Sequence, residues 1–216
     1  MNNLQGSGFA MLCLFAVTAC QTVSSGIPPV LQNGQAGRSA GAGDGGFAAV
    51  PACATGMSAT LSDGVRIGYG GSDPDDRDRC LLHWSGRAHP LYFGLWNTDP
   101  RVPITDDARA AFRTALTGPV GTEASFAIRG ARLWNRVTVT HVGNSRVDVA
   151  GKLRPALELR VVRHDAQGRP QVRAETRYAV DLATGVMLQC ESVTPMADGE
   201  VKKTTSWHID SLQQSG

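Results

Sequence analysis

The sequence predicts a mainly β protein: an antiparallel meander, curled or sandwiched around one core, with one short helix near residues 106–117. Three observations predict it. In the second half of the chain, apolar and polar residues alternate with a period of two over several segments of strand length. Short clusters of Gly, Pro and Asp separate those segments, so consecutive strands are joined by tight turns. A single stretch, "TDDARAAFRTALTG", carries the period of a helix.

The first twenty residues, "MNNLQGSGFAMLCLFAVTAC", hold no acidic residue and an apolar run from Phe9 to Ala19. That run is too short for a membrane span of roughly twenty residues, and it suits the apolar region of a secretory signal. A buried helix is the alternative, but no element follows on which it could pack. Val17-Thr18-Ala19-Cys20 then sets an aliphatic residue and two small ones before a cysteine. Small side chains let a peptidase reach the bond, and the thiol is a nucleophile that accepts an acyl-bearing group.

These four residues resemble the lipobox of bacterial lipoproteins. The resemblance implies a signal peptide over 1–19, cleavage between Ala19 and Cys20, and lipidation of Cys20, which makes the bilayer a partner. One departure is the absence of Lys and Arg before the apolar run. In such lipoproteins of Gram-negative bacteria an Asp after the cysteine favours the inner membrane. Gln21 stands there instead, which implies the outer membrane, facing the periplasm. Several acyl chains, at about 0.8 kcal/mol per buried methylene, hold a protein far more firmly than one.

Residues 20–46 read as the lipidated N-terminus and a flexible tether, because Gly, Ser and Pro dominate and little apolar surface is available to offset ordering. Such a chain spans about 25 to 30 Å. Residues 47–216 then form a single β-rich globular domain with no second linker. In its early part, "GVRIGYG", "RCLLHWS" and "LYFGLWN" read as short strands between Asp/Pro/Gly turns. In the helix Thr105 caps, Asp106 and Asp107 suit the positive end, Ala108, Ala111, Phe112 and Ala115 share a face, and Gly118 stops it.

Beyond the helix, Leu133, Val137 and Val139 oppose Trp134, Arg136, Thr138 and Thr140, and Val147 and Val149 mark another strand. Leu157, Leu159 and Val161 alternate with Glu158 and Arg160. Val172, Ala174, Thr176, Tyr178 and Val180 alternate with Arg173, Glu175, Arg177 and Asp181. Val186, Leu188 and Cys190 oppose Gln189 and Glu191, and Val201, Thr205, Trp207 and Ile209 share one side of the last strand. The stretch from "RVDVAG" through "TRYAVDLATGVMLQCESV" resembles a pattern of uncharacterised, mostly β bacterial envelope proteins, a family with no assigned activity.

Candidate chemistry is sparse. Within residues 47–216 Gly-x-Ser-x-Gly and Ser-x-x-Lys are absent, and the one Gly-x-Ser-x-Gly of the chain, residues 37–41, lies in the Gly-rich tether rather than between a strand and a helix. The five histidines, 83, 89, 141, 164 and 208, lack metal-ligand spacing and read as solvated or edge-strand residues. Asp73, Asp75, Asp76 and Asp78 invite a calcium reading, but an EF-hand would need Gly and Glu where Asp78 and Trp84 stand, and Arg77 and Arg79 repel a cation. A surface turn is expected. Trp84, Tyr92, Phe93 and Trp96 either line a groove or, as expected, fill the core. A net charge of +2 offers no nucleic-acid patch.

Once Cys13 leaves with the signal and Cys20 is acylated, Cys53, Cys80 and Cys190 remain. Cys190 lies on an apolar strand face, where a thiol behaves as a small buried hydrophobe. A Cys53–Cys80 disulfide is therefore expected, with a bond from either to Cys190 as the alternative. The whole points to a lipid-anchored, non-enzymatic binding or assembly module with an envelope protein partner and no cofactor or metal; its ligand is not named by the sequence. A periplasmic hydrolase acting on cell-wall or lipid substrates and a carrier of a lipid or other apolar ligand are the alternatives.

Overall fold

The computed structural model describes residues 45–96, 104–129, 134–165, 172–196 and 200–214. The signal segment, Val17 to Cys20 and the tether as far as residue 44 lie outside them, as does Leu133. Ten strands are described: β1 (Thr55–Leu61), β2 (Arg66–Asp73), β3 (Asp76–Trp84), β4 (Arg87–Tyr92), β5 (Glu123–Arg129), β6 (Trp134–Val149), β7 (Lys152–Asp165), β8 (Val172–Asp181), β9 (Met187–Pro195) and β10 (Val201–Gln214). Helix α1 (Asp106–Thr117) lies between β4 and β5. All ten strands form one antiparallel sheet in the order β4-β3-β2-β1-β10-β9-β8-β7-β6-β5.

That order is two meanders spliced where β1 meets β10, from Met57↔Gln214 to Leu61↔Ile209. The sheet does not close; β4 and β5 are its edges. It curls, so that β6 approaches β9 and β10 across the concave side. Among the described residues there is no second sheet, so the curled form of the expectation holds and the sandwiched one does not. The concave face is the core: His141, Leu159, Tyr178, Cys190 and Trp207 form one row across five adjacent strands, all of them buried.

The helix matches its sequence signature. Thr105 Oγ1 accepts from Ala108 N at 3.2 Å, and Ala108, Ala111, Phe112, Ala115 and Leu116 are buried. Gly118 does not end it by a left-handed turn, since its φ is −76°. A Cβ there would strike the Thr122 side chain, so the glycine is needed for close approach. The carbonyls of Leu116 and Gly118 accept from Phe47 N (2.9 Å) and Gly46 N (3.0 Å). The incoming chain thus helps satisfy the carbonyls at the helix end, which have no partners within the helix. Gly46, assigned by composition to the end of the tether, is therefore already docked.

From there residues 45–54 run as a strap across the sheet. Phe47 is buried, Pro51 packs on Gly185, which has φ +70° and no room for a Cβ, and Ala54 O accepts from Gly71 N at 2.9 Å. Cys53 is bonded to Cys80 of β3, with Cα atoms 5.2 Å apart. This excludes the bond from either of them to Cys190. Cys190 is disulfide-bonded as well, which corrects the expectation of a thiol there: a wholly buried sulfur on the inner face can be reached from the concave side as well as packed against.

Other departures trace to bulges and turns. β6 is one strand where two were expected, because a one-residue irregularity between His141 and Gly143 takes the place of a turn. Val201 is 61% exposed. An extra residue between Lys203 and Thr205 moves it to the face opposite Trp207 and Ile209. "LYFGLWN" is not a strand: β4 ends at Tyr92, and Phe93 (φ 56°) and Gly94 (φ 68°) turn the chain left-handed.

The disulfide closes a loop across a sequence separation of 27, so loop-closure entropy sets its contribution at roughly 3 to 4 kcal/mol. The Cys53→Ser/Cys80→Ser variant should lose about that much in urea unfolding. A loss under about 1 kcal/mol would show that the strap is held by Phe47 and its backbone bonds alone.

Candidate functional site

Polar chemistry gathers at four places on the described residues. The first joins the β2–β3 turn to α1. Residues 73–78 bend so sharply that Asp73 and Asp76 pair across the turn, which aims their carboxylates and that of Asp78 at one side. Arg109 and Arg113, one helical turn apart on α1, face them. Arg109 donates to Asp76 Oδ2 at 2.6 Å and to Asp78 Oδ2 at 2.9 Å, and Arg113 reaches Asp78 at 2.7 Å. Arg79 closes on Asp73 at 2.7 Å. Arg109 also lies 5.2 Å from the Tyr92 ring centroid, within cation–π reach.

Hydrogen bonds from Arg109 hold the Asp76 carboxyl below its usual range, and the same pair raises Arg109. These carboxylates are occupied by arginine, as a structured surface turn requires. Among the described residues no three His, Cys, Asp or Glu side chains are grouped so as to hold a metal ion.

The second place is Asp181, read from sequence on the polar face of its strand and found fully buried. The reading fails because β8 ends there, and its carboxylate turns in to organise the β8–β9 turn. Arg154 donates to Asp181 Oδ1 at 3.1 Å and Oδ2 at 2.7 Å, and Thr184 donates to Oδ2. The hydrogen bonds to Asp181 raise the Arg154 guanidinium further. This turn carries Gly185, on which the strap lies. A buried pair of this kind contributes little net stability while intact and costs heavily when half removed.

The third is His141, which the sequence reading placed at a solvated position or strand edge. It is wholly buried. Nδ1 lies 2.9 Å from Gly118 O, and Nε2 lies 3.2 Å from both Gly143 O and Asn144 Oδ1. Asn144 Nδ2 donates to Gly45 O at 3.2 Å. The ring therefore ties the end of α1, the β6 irregularity and the start of the strap together. The signal that could have found it is its register with Val137 and Val139, four and two residues earlier.

The fourth is a Ser/His/Asp grouping on the convex face. His208 Nε2 lies 3.1 Å from Asp210 Oδ1 with both side chains more than half exposed. Ser62 Oγ accepts from the His208 backbone N–H at 3.3 Å, rather than from the ring. The serine thus has no base aligned on it, as nucleophilic catalysis would need.

Of the aromatic cluster, Tyr92, Phe93 and Trp96 are buried, and Trp96 and Phe93 pack on Phe112 at 5.6 and 5.7 Å between centroids. Trp84 is half-buried and stacks on His89 at 3.3 Å, where burial lowers the His89 imidazole. The cavity beneath the strap, lined by Pro51, Tyr69, Leu82, Phe93 and Met187, holds about 10 Å³, room for about one water and none for an acyl chain. Burial there pushes the Tyr69 hydroxyl up.

No family model matches the chain. No curated protein matches it. Among solved structures it is similar to the crystal structure of the hypothetical lipoprotein YmcC from Escherichia coli (K12), at 12% identity over 78% of this chain and 89% of that one, with a TM-score of 0.46.

Two outcomes follow from the geometry. Asp181→Ala should destabilise by about 3 kcal/mol or more, whereas Asp181→Leu combined with Arg154→Met should cost distinctly less; equal losses in thermal or urea unfolding would contradict the buried-pair account. Because the Asp76 pKa is depressed below 3.8 in the folded state, its contribution is present above that value and disappears as pH falls through the lower folded pKa. Stability measured from about pH 5 down to about pH 2 should therefore fall less steeply in Asp76→Asn than in the wild type.

Proposed function

We propose that this chain is a lipid-anchored bacterial envelope protein, held through an acylated Cys20 and serving as a non-enzymatic binding or assembly module for an envelope partner. The observation that carries the reading is the Cys53–Cys80 bond, which fastens to β3 the strap that follows the expected tether. Structural disulfides persist in exported proteins and are rare in the reducing cytosol. Behind the tether stands Val17-Thr18-Ala19-Cys20, the motif that export and acylation require. Gln21, in place of Asp, favours the outer membrane, with the domain in the periplasm.

The module reading draws support from the use of the polar groups. Asp73, Asp76, Asp78 and Asp181 are each engaged by an arginine, so their chemistry serves the fold. Metabolic labelling with a palmitate analogue should mark the wild type and miss Cys20→Ser. Equal labelling of the two would end the lipidation reading. A second measurement bears on the same point. Cleavage removes Cys13 and acylation consumes the Cys20 thiol, so a processed chain has no cysteine left to keep Cys190 in an intramolecular disulfide. Non-reducing peptide mapping of the membrane-extracted protein should return Cys53 linked to Cys80 and no link between Cys190 and the first twenty residues; finding that link would mean the chain is not processed as proposed.

A further inference from the structure

The two edges of the sheet are built differently. β4 carries Pro90 in mid-strand and Arg87 and His89 beside it, devices that blunt an edge against further pairing. β5 has none between its ends: Ala124, Ser125, Phe126, Ala127 and Ile128 are uncharged and free of proline, and its pairing with β6 runs without a bulge. Ser125 and Ala127 are exposed, and Ala124 and Ile128 stay only half-buried although they face the core side.

The direction of the unpaired groups is fixed by the ladder. His141 N donates to Thr122 O at 2.9 Å, and Glu123 pairs with Thr140. Glu123 is thus a non-hydrogen-bonded position, and by alternation so are Ser125 and Ala127. Their N–H and C=O groups point away from β6, and among the described residues no strand lies beyond β5.

We propose that two copies of this chain join by antiparallel pairing of β5 with β5 about a two-fold axis at Phe126, continuing the sheet from one copy into the other. Three features commit the edge to a second copy. With outward groups at odd positions, an antiparallel partner must set odd residues against odd ones, and the two-fold at Phe126 does so, with Ser125 opposite Ala127. That register uses the whole strand, and it sets position 123 of one copy level with position 129 of the other, an acidic residue and a basic one in the sequence. A head-to-tail contact would need the β4 edge, which Pro90 interrupts, so the association closes at two.

Sedimentation of the full chain in density-matched detergent tests this. The wild type should run at twice the monomer mass. Ala127→Lys should run as monomer, as should Ala127→Pro, which removes only an outward N–H and leaves the ladder to β6 intact. Retention of the Cys53–Cys80 bond and of the wild-type circular dichroism shows that the variants fold. Mixed chains carrying Ser125→Cys and Ala127→Cys should crosslink to each other under oxidation at several times the yield of either alone. A monomeric wild type, a dimer that survives Ala127→Lys in folded protein, or crosslinking to a different envelope protein in place of a second copy would overturn the proposal.

Discussion

Among the described residues a ten-stranded sheet with one apolar face has a single helix of twelve residues to cover it, and most of the architecture follows from that shortage. Burying the face at about 25 cal/mol per Å² requires the sheet to cover itself, so it curls until β6 comes near β9 and β10. The helix then fills what remains. Its alanines at 108, 111 and 115 let it lie close, while Phe112, at 0% exposure, reaches Phe93, Trp96 and Phe126. Bulges in β6 and β10 supply local bending that regular pleating would not permit.

The polar clusters hold this arrangement at its borders. Arginines 109 and 113 fix the helix to the β2–β3 turn, on the far side of the sheet from β5. His141 and the strap hold the other end of the helix, and Arg154 with Asp181 shapes the turn under the strap. On the convex face, Arg160 and Arg177 lie directly opposite each other, a repulsive placement that Glu175 offsets by pairing with both. The concave side is filled by hydrophobes, the convex side by such short-range charge pairs.

Alternation made β7, β8 and β9 legible, because Leu157, Leu159 and Val161, or Leu188 and Cys190, face a continuous core. α1 was legible from its cap and alanine spacing. β1, "TGMSATL", and β5, "EASFAIR", were not; small and polar residues dominate them, and their strand character comes from neighbours already in the sheet. Val201 failed through a bulge that local sequence does not mark. Asp181 and His141 failed because polar type suggested exposure, whereas partners more than twenty residues away, Arg154 and Gly118, make their burial tolerable. The Cys53–Cys80 pairing was legible because both cysteines lie near irregular segments at the start of the domain.

The splice between β1 and β10 has a temporal consequence. Every other pairing joins strands adjacent in the chain, but Met57 meets Gln214 across almost the whole domain. β1 to β4 are made first and cannot join the remainder until the last strand has been synthesised. Closing so long a loop is slow, so the newborn domain exists for a time as two half-sheets with bare apolar faces and an open β1 edge. Aggregation competes with folding in that interval.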